Sequence, residues 1–263
     1  MDAEQMKVLP ITGLILAGGK NRRMSGRMKF FLPLEGENFA QRILAALKDA
    51  GGLKEVYLSV SFGMLLQNEK LPEGQDPGEQ VPKQSEQEKT EQATPLRKTS
   101  EQEKTEQATP VRKTSEQAMQ EHRQQVQARL HSLGLPMIVD EYEAIGPMGG
   151  ILSGLHVLPG QALLVISSDS PFITSAMIRK LIDAFVQNPV LTLASCDGRI
   201  QPLLGIYPPE VQDCMEELVE MENYRMKSLL DRTDYQIVEI DPKAAININT
   251  PGEYQKYCGG SIY

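Results

Sequence analysis

The chain has 263 residues, of which 40% are hydrophobic, and this is enough to bury a sizeable core in one large domain or two small ones. Its formal charge of −8 and its pI of about 5.1 argue against a general nucleic-acid-binding protein, which needs a broad basic face. No apolar stretch approaches the roughly 18 residues of a membrane span, and the first residues lack the features of a signal peptide, so a cytoplasmic protein without a membrane anchor is expected.

Predicted strands and helices alternate along most of the chain. Short aliphatic and β-branched segments predict strands over 11–16, 55–61, 136–140, 162–168 and 190–195. Helices are predicted over 40–50, 148–158 and 175–187. Because several of the strands are almost continuously apolar, they fit a parallel sheet that is covered on both faces. The pattern predicts a doubly wound α/β fold in three layers, with a Rossmann-like, mostly parallel sheet that an antiparallel strand from the last third of the chain can extend.

A glycine pair and a group of cations follow the first predicted strand. The cations are Lys20, Arg22, Arg23, Arg27 and Lys29. The glycines are adjacent, so the loop matches neither GxGxxG nor GxxxxGK[ST]. Backbone N–H groups at Gly18 and Gly19 can nevertheless approach phosphate oxygens, while Arg23 and Lys29 can neutralise their charge. The loop therefore predicts a phosphate-binding site; the alternative is a surface loop with incidental cations.

Two carboxylates are predicted at the ends of later strands. Asp140 ends the third strand, where it could bind a base or a ribose, or act as a turn or capping residue. Asp169 follows the most apolar strand, and a carboxylate there is costly unless it binds a metal or caps a helix. Capping of the helix predicted from Ser175 is the weaker alternative, since Thr174 can provide that cap. Mg²⁺ bound through one or two carboxylates together with substrate phosphates is the usual arrangement for nucleotides.

Two asparagines near the end of the chain form a further candidate site. Asn247 and Asn249 alternate on an extended segment, which places both amides on one face. The segment then opens a predicted helix with Pro251 in its first turn. Asn249 or Thr250 could instead serve only as the cap of that helix.

A low-complexity segment interrupts the chain between the second and third predicted strands. Residues 85–99, SEQEKTEQATPLRKT, recur almost unchanged as residues 100–114. From residue 67 to residue 128 there is no Phe, Tyr or Trp, so the segment cannot bury enough apolar surface to offset its ordering entropy. We expect residues 67–128 to be a disordered insertion, with 1–66 and 129–263 forming a single domain.

Cysteine and histidine give no pattern of a metal site or a nucleophile. The three cysteines, Cys196, Cys214 and Cys258, lack CxxC spacing, which favours reduced thiols over a zinc site or a disulfide framework. The three histidines are not spaced as metal ligands.

Taken together, the motifs resemble one known family. LAGG-x-x-x-RM with a following lysine, GP-x-x-G, D-x-PF, QP-x-x-G-x-Y and NINTP occur here in the order and spacing typical of the molybdenum cofactor guanylyltransferase (MobA) family. The resemblance implies an enzyme that transfers GMP from GTP to the terminal phosphate of molybdenum-molybdopterin with Mg²⁺ and releases pyrophosphate. Possible partners are other cofactor-assembly proteins and molybdoenzymes, with neither nucleic acid nor membrane.

The resemblance also implies roles for individual residues. By this resemblance Leu16, Ala17, Gly18 and Gly19 contact the guanine nucleotide and Asp140 contacts the nucleoside. The residues implied for phosphates, metal and the active site are Arg23, Lys29, Asp169, Asn247 and Asn249, with Asp169 binding both GTP and Mg²⁺.

This sequence departs from the family pattern at three places. Ser25 stands where Gly is usual, Met28 where Asp often precedes the lysine, and Ser59 at a position, after the second strand, that is Asn in some relatives. Two other readings keep the motifs but change the function: a cytidylyl- or sugar-phosphate nucleotidyltransferase of the same fold, or a non-catalytic nucleotide-binding partner in cofactor assembly.

Overall fold

The computed structural model describes residues 9–17, 28–61, 124–142 and 145–259. The strands are β1 (Ile11–Leu16), β2 (Pro33–Leu34), β3 (Glu37–Asn38), β4 (Val56–Val60), β5 (Met137–Val139), β6 (Ala162–Ser167), β7 (Leu191–Cys196), β8 (Arg199–Tyr207) and β9 (Tyr235–Glu239). The α-helices are α1 (Phe39–Ala50), α2 (residues 124–131), α3 (Pro147–Val157), α4 (Ser175–Gln187), α5 (Gln212–Glu220), α6 (Met226–Leu230) and α7 (Pro251–Cys258).

Seven strands form one sheet, in the order β5-β4-β1-β6-β8-β7-β9. The central strands β1 and β6 are buried along their whole length, as their almost continuously apolar sequences require. One hydrophobic cluster packs on the face covered by α1, α2 and α4, and a second on the face covered by α3, α5 and α6. Within this sheet, every strand pair that excludes β8 is parallel, whereas β2 and β3 form a separate antiparallel pair. The predicted three-layered, mostly parallel doubly wound sheet is confirmed.

The antiparallel strand lies inside the sheet. β8 pairs antiparallel with β6 on one side and with β7 on the other, and the β7 pairing shifts register between Leu193 and Ala194. β9 then pairs in parallel with β7 at the edge. The irregular last third of the sequence therefore adds both an internal antiparallel strand and a parallel edge strand.

The end of the low-complexity segment differs from the sequence prediction. Helix α2 includes residues 124–128, and its Val126 and Leu130 are buried in the hydrophobic cluster that α1 and α4 also cover. The predicted boundary at residue 128 therefore falls inside a helix of the domain, because two apolar side chains at helical spacing anchor it to the core. Residues 67–123, including the repeats, lie outside the described residues.

Helix lengths also bear on membrane insertion. Among the helices of the described ranges, none combines the length and the apolar character that crossing a bilayer needs. The cysteines of these ranges, Cys196, Cys214 and Cys258, form no disulfide with one another.

Candidate nucleotide-binding site

Candidate site residues meet at the carboxyl edge of the parallel strands. Ala17 directly follows β1, Asp140 follows β5 and Asp169 lies just beyond β6. Because β5, β4, β1 and β6 are neighbours in the sheet, these residues lie along one edge. Ligands of open α/β sheets bind in this position, outside the carboxyl ends of the strands.

At this edge of the sheet, Lys29 contacts Asp169 and Asn249, which lie far from it in sequence. Its Nζ donates a hydrogen bond of 2.6 Å to Oδ1 of Asn249 and lies 3.6 Å from Oδ2 of Asp169. The side chains of Lys29 and Asp169 are each 17% exposed, so the pair is accessible from solvent without being surrounded by it. The arrangement fixes an ammonium group beside a carboxylate, where it can meet the oxygens of a phosphate.

Asp169 has the chemistry of a metal ligand. Its Oδ1 is buried and has no hydrogen-bond partner among the described residues. Burying an unpaired carboxylate oxygen is costly, and an incoming cation would remove that cost. In the described ranges no three His, Cys, Asp or Glu side chains lie close enough to hold a metal by themselves. One carboxylate therefore fits Mg²⁺ that is completed by substrate phosphates.

Asp169 does not cap helix α4, which was the alternative to metal binding. Helix α4 begins after Thr174, which occupies the N-cap position and makes no side-chain capping bond. The main chain of Asp169 has a different function, since its carbonyl accepts a hydrogen bond of 2.9 Å from the N–H of Ile248. This bond attaches the asparagine segment to the end of β6.

The two asparagines contact the residues around Asp169. Oδ1 of Asn247 accepts a hydrogen bond of 2.8 Å from the Ser170 hydroxyl, and Oδ1 of Asn249 accepts the bond from Lys29. Ile248 between them is fully buried. The cap of α7 is Thr250, whose side chain accepts from the N–H of Glu253. Asn249 is therefore not the cap of α7, and its side chain binds Lys29 instead.

Asp140 belongs to a second cluster on the same edge. Its Oδ1 accepts a hydrogen bond of 2.7 Å from the hydroxyl of Ser59, which lies within β4 and not after it as the sequence comparison suggested. Burial raises the pKa of Asp140, and the hydrogen bond from Ser59 partly offsets this by lowering it. Helix α3 is preceded by Gly146 without a side-chain cap, so Asp140 is not its capping residue.

Gly150 on α3 makes room for this cluster. A Cβ at that position would lie 2.6 Å from Oγ of Ser59, 3.0 Å from Cδ2 of Leu16 and 3.4 Å from Oδ1 of Asp140. The contact with Ser59 is closer than van der Waals packing allows, and the contact with Leu16 is very tight. The glycine of the GP-x-x-G motif is thus explained by the close approach of α3 to the ends of β1 and β4.

Of the remaining predicted site residues, only Leu16 and Ala17 are among those that the structure describes. Leu16 and Ala17 are buried, with exposures of 6% each, so a contact with a nucleotide must use their main chain. The carbonyl of Leu16 already accepts from the N–H of Ser168, and the N–H of Ala17 donates to the carbonyl of Ser59. Gly18, Gly19 and Arg23 lie outside the described residues, as does Ser25.

Met28 and three further residues have roles that the sequence motifs did not predict. Met28 is 9% exposed and packs in the core, which explains an apolar residue beside Lys29. Ser170, Gly150 and Glu253 support the site from outside the predicted set. Two of them had a recognisable signal, since Gly150 belongs to the GP-x-x-G motif and Glu253 has the spacing from Thr250 that a capping box requires.

The fold and the site define a nucleotide-binding α/β protein of the nucleotidyltransferase type. Comparison with known families agrees: the family described as MobA-like NTP transferase domain matches residues 13–87 and 106–237, which is well over half of the chain. The chain therefore belongs to the MobA-like NTP transferase family, as the motifs of the sequence indicated.

The individual relatives described next are less than 30% identical to this chain over the aligned residues. A probable molybdenum cofactor guanylyltransferase of Bacillus cytotoxicus is 29% identical over 131 residues, which is 47% of this chain and just under two thirds, 66%, of the relative. The molybdenum cofactor guanylyltransferase of Mesorhizobium japonicum is 24% identical over 258 residues, 92% of each chain. The crystal structure of molybdopterin-guanine dinucleotide biosynthesis protein A from Archaeoglobus fulgidus has a TM-score of 0.59 at 14% identity, covering 94% of this chain and 97% of that one, and shows the shared fold.

Proposed function

We propose that this protein transfers GMP from GTP to the terminal phosphate of molybdenum-molybdopterin, forming a guanine dinucleotide cofactor and releasing pyrophosphate. The observation that carries the proposal is the position of Lys29, whose ammonium is fixed between Asp169 and Asn249 at the carboxyl edge of the sheet. Membership of the MobA-like NTP transferase family and the names of the aligned relatives support this choice of substrates.

For this reaction the protein has to position the two substrates and neutralise the charge on their phosphates. A phosphate oxygen of the acceptor attacks the α-phosphorus of GTP in line, the new P–O bond forms, and the bond to the pyrophosphate leaving group breaks. Lys29, with Arg23 and the N–H groups of the glycine loop, stabilises the negative charge that develops on pyrophosphate. The attacking phosphate is already ionised, so no general base is required.

Asp169 is the proposed ligand of Mg²⁺. Its unpaired, buried Oδ1 supports this assignment. When bound, the metal ion supplies positive charge to the phosphate oxygens of the nucleotide. Asn247 and Asn249 hold the surroundings of Asp169 and Lys29 in place through the bonds described above.

Asp140 is the proposed nucleoside ligand. The bond from Ser59 occupies Oδ1, so Oδ2 is the oxygen that we assign to the nucleoside. Leu16, Ala17, Gly18 and Gly19 would contribute main-chain contacts to the guanine nucleotide. The selection of guanine over other nucleotide bases then depends on main-chain groups near the end of β1.

The cellular setting follows from the same proposal. GTP and molybdenum-molybdopterin are the substrates, and cofactor-assembly proteins and molybdoenzymes are the expected partners. The free cysteines support a cytoplasmic location, and the acidic pI supports the expectation that nucleic acid is not a partner. We expect no membrane partner either.

We further propose that the repeats are a dispensable insertion in a single nucleotidyltransferase domain. The family match omits residues 88–105, which fall within the repeats, and this supports the assignment. Long surface insertions cost little stability. Deletion of residues 85–114 is expected to leave the transfer rate unchanged, and a large loss of rate would contradict dispensability.

Pyrophosphate release tests the proposed function. Purified protein is incubated with Mg²⁺, molybdenum-loaded molybdopterin and one of GTP, CTP or UTP. Release that depends on both GTP and the acceptor is expected. Preference for CTP or UTP would instead indicate one of the related nucleotidyltransferases, and GTP binding without release would indicate a non-catalytic partner.

A further inference from the structure

The carboxylate of Glu253 makes one more hydrogen bond than its role at the helix end requires. In the capping box of α7, the Thr250 side chain accepts from the N–H of Glu253 at 3.2 Å, and Oε2 of Glu253 accepts from the N–H of Thr250 at 2.9 Å. These two reciprocal bonds complete the box. Oε2 of Glu253 also accepts from the N–H of Asn249 at 2.7 Å, one residue outside the helix cap.

This additional bond acts on a residue that contacts Lys29. The main chain of Asn249 is held by Glu253, and that of Ile248 before it is held by the carbonyl of Asp169 at 2.9 Å. Two fixed N–H groups in succession set the direction in which the Asn249 side chain leaves the main chain. That side chain then reaches Nζ of Lys29 at 2.6 Å.

Glu253 is itself on an anchored element. The next residue, Tyr254, is 2% exposed and donates a hydrogen bond of 2.6 Å from its hydroxyl to the carbonyl of Pro33. Its ring packs near that of Phe39, with 6.3 Å between the ring centroids. Helix α7 is therefore attached to the part of the chain that directly follows Lys29.

We propose that Glu253 is a positioning residue for Lys29: through the N–H of Asn249 it orients the amide that holds the lysine ammonium beside Asp169. The proposal rests on the function assigned above, in which Lys29 neutralises phosphate charge. The pKa of Glu253 is lowered, first by the bond from the main chain of Asn249 and to a smaller extent by the charge of Lys29, which agrees with the geometry.

Three variants separate positioning from helix capping. Glu253→Ala removes the acceptor of both N–H groups. Thr250→Ala removes the opposite half of the capping box but keeps the bond between Glu253 and Asn249, and it is the matched control for lost helix stability. Glu253→Gln keeps an oxygen that can accept the same two bonds, since Gln also serves in capping boxes.

In the transfer assay, Glu253→Ala is expected to lower kcat by about 10- to 100-fold, because small misplacements of a catalytic group have effects of this size. KM for GTP should change less than kcat. Thr250→Ala and Glu253→Gln should stay close to the unmodified protein, although Thr250→Ala lowers the Tm. Equal losses of kcat in Glu253→Ala and Thr250→Ala, or no loss in Glu253→Ala, would overturn the proposal.

A second measurement does not depend on turnover. Acetylation of lysines by a small reagent, quantified by peptide mass spectrometry, reports the reactivity of Lys29 relative to the exposed Lys48. Glu253→Ala should raise the relative reactivity of Lys29 severalfold, and Thr250→Ala should not. If the unmodified protein shows no transfer, the proposed function fails, and this ratio still decides the role of Glu253: unchanged reactivity in Glu253→Ala rejects it.

Discussion

The ammonium group of Lys29 lies 2.6 Å from the side-chain oxygen of Asn249, although 220 positions separate the two residues in sequence. Lys29 follows the glycine loop of β1, and Asn249 precedes the last helix. The sheet brings them together beside Asp169, because β6 pairs directly with β1. The site therefore requires the whole domain to be folded, and its residues can be tested one by one.

Loss of either charged group beside the phosphates is expected to stop transfer. Lys29→Ala and Asp169→Ala should each lower kcat by at least about 10²–10³-fold, as removal of single groups that stabilise developing charge does in other enzymes. Both side chains are partly exposed, so the fold should survive. Circular dichroism and kcat are measured together, with exposed Lys48→Ala as the control. Near-normal rates in either variant would remove the role assigned to that residue.

Asp140→Asn should separate stability from nucleotide binding. The folded pKa of Asp140 is raised by burial, so ionising it costs stability; this cost is absent below the unfolded pKa near 3.8 and fully present above the folded pKa. The asparagine oxygen can still accept from Ser59. At pH 7 the variant should therefore have a higher Tm, with an advantage that shrinks as the pH approaches 3.8.

The same variant is expected to bind GTP at least about tenfold more weakly, because a hydrogen bond to a charged group is lost. Calorimetric titration at pH 7 measures this. Unchanged GTP affinity would show that Asp140 does not contact the nucleoside.

Substitutions of Gly150 and Gly154 in α3 allow an effect on the candidate site to be compared with an effect on the hydrophobic core alone. A Cβ at Gly150 would meet Ser59 and Leu16, whereas a Cβ at Gly154 would meet the side chains of Leu14 and Leu163 at 2.8 and 2.9 Å. Both alanine variants overpack the structure and should lose about 1–3 kcal/mol of stability. Only Gly150→Ala displaces the partner of Asp140, so only this variant should bind GTP more weakly. Equal affinities of the two variants in a GTP titration would contradict the prediction.

His156 joins two surface carboxylates. Its Nδ1 and Nε2 lie 2.8 Å from Oε2 of Glu141 and Oε1 of Glu216. Burial by itself lowers the pKa of His156, but the hydrogen bonds and charges of the two glutamates outweigh it and raise the pKa above 6.5. Tyr142 packs beside the ring at a centroid distance of 6.2 Å. The hydrogen bond to His156 lowers the pKa of Glu216 below 4.5.

The pKa shifts of His156 and Glu216 determine the pH range in which their interaction stabilises the protein. The histidine contribution to stability is fully present below 6.5 and is lost as the pH rises through the raised, folded pKa, whereas the Glu216 contribution is lost as the pH falls below 4.5. The difference in unfolding free energy between the unmodified protein and His156→Gln should therefore be largest between these values and smaller at pH 9. Because the glutamates are exposed, the effect should be modest. A difference that grows toward pH 9 would have the wrong sign.

The sequence predicted the fold and part of the site for identifiable reasons. Apolar runs such as β1 and β6 must be buried on both faces, so their pattern defines a parallel sheet, and the ends of such strands predict where Asp140 and Asp169 lie. The pairing of Lys29 with Asn249 could not be predicted, because it depends on tertiary packing between distant segments. The roles of Ser59 and Gly150 depend on the distance between α3 and the sheet, and no local pattern encodes that distance.

Product analysis shows directly whether this chain forms a guanine dinucleotide of the molybdenum cofactor, as we propose. Protein, Mg²⁺, molybdenum-molybdopterin and GTP labelled at the α-phosphate are incubated, and the cofactor fraction is examined by mass spectrometry, with Lys29→Ala in parallel. We expect a labelled product heavier than the acceptor by one GMP moiety, and almost none with Lys29→Ala. If folded protein that binds GTP forms no labelled product, the proposed guanylyl transfer is wrong; if Lys29→Ala forms as much product as the unmodified protein, the role assigned to Lys29 is wrong.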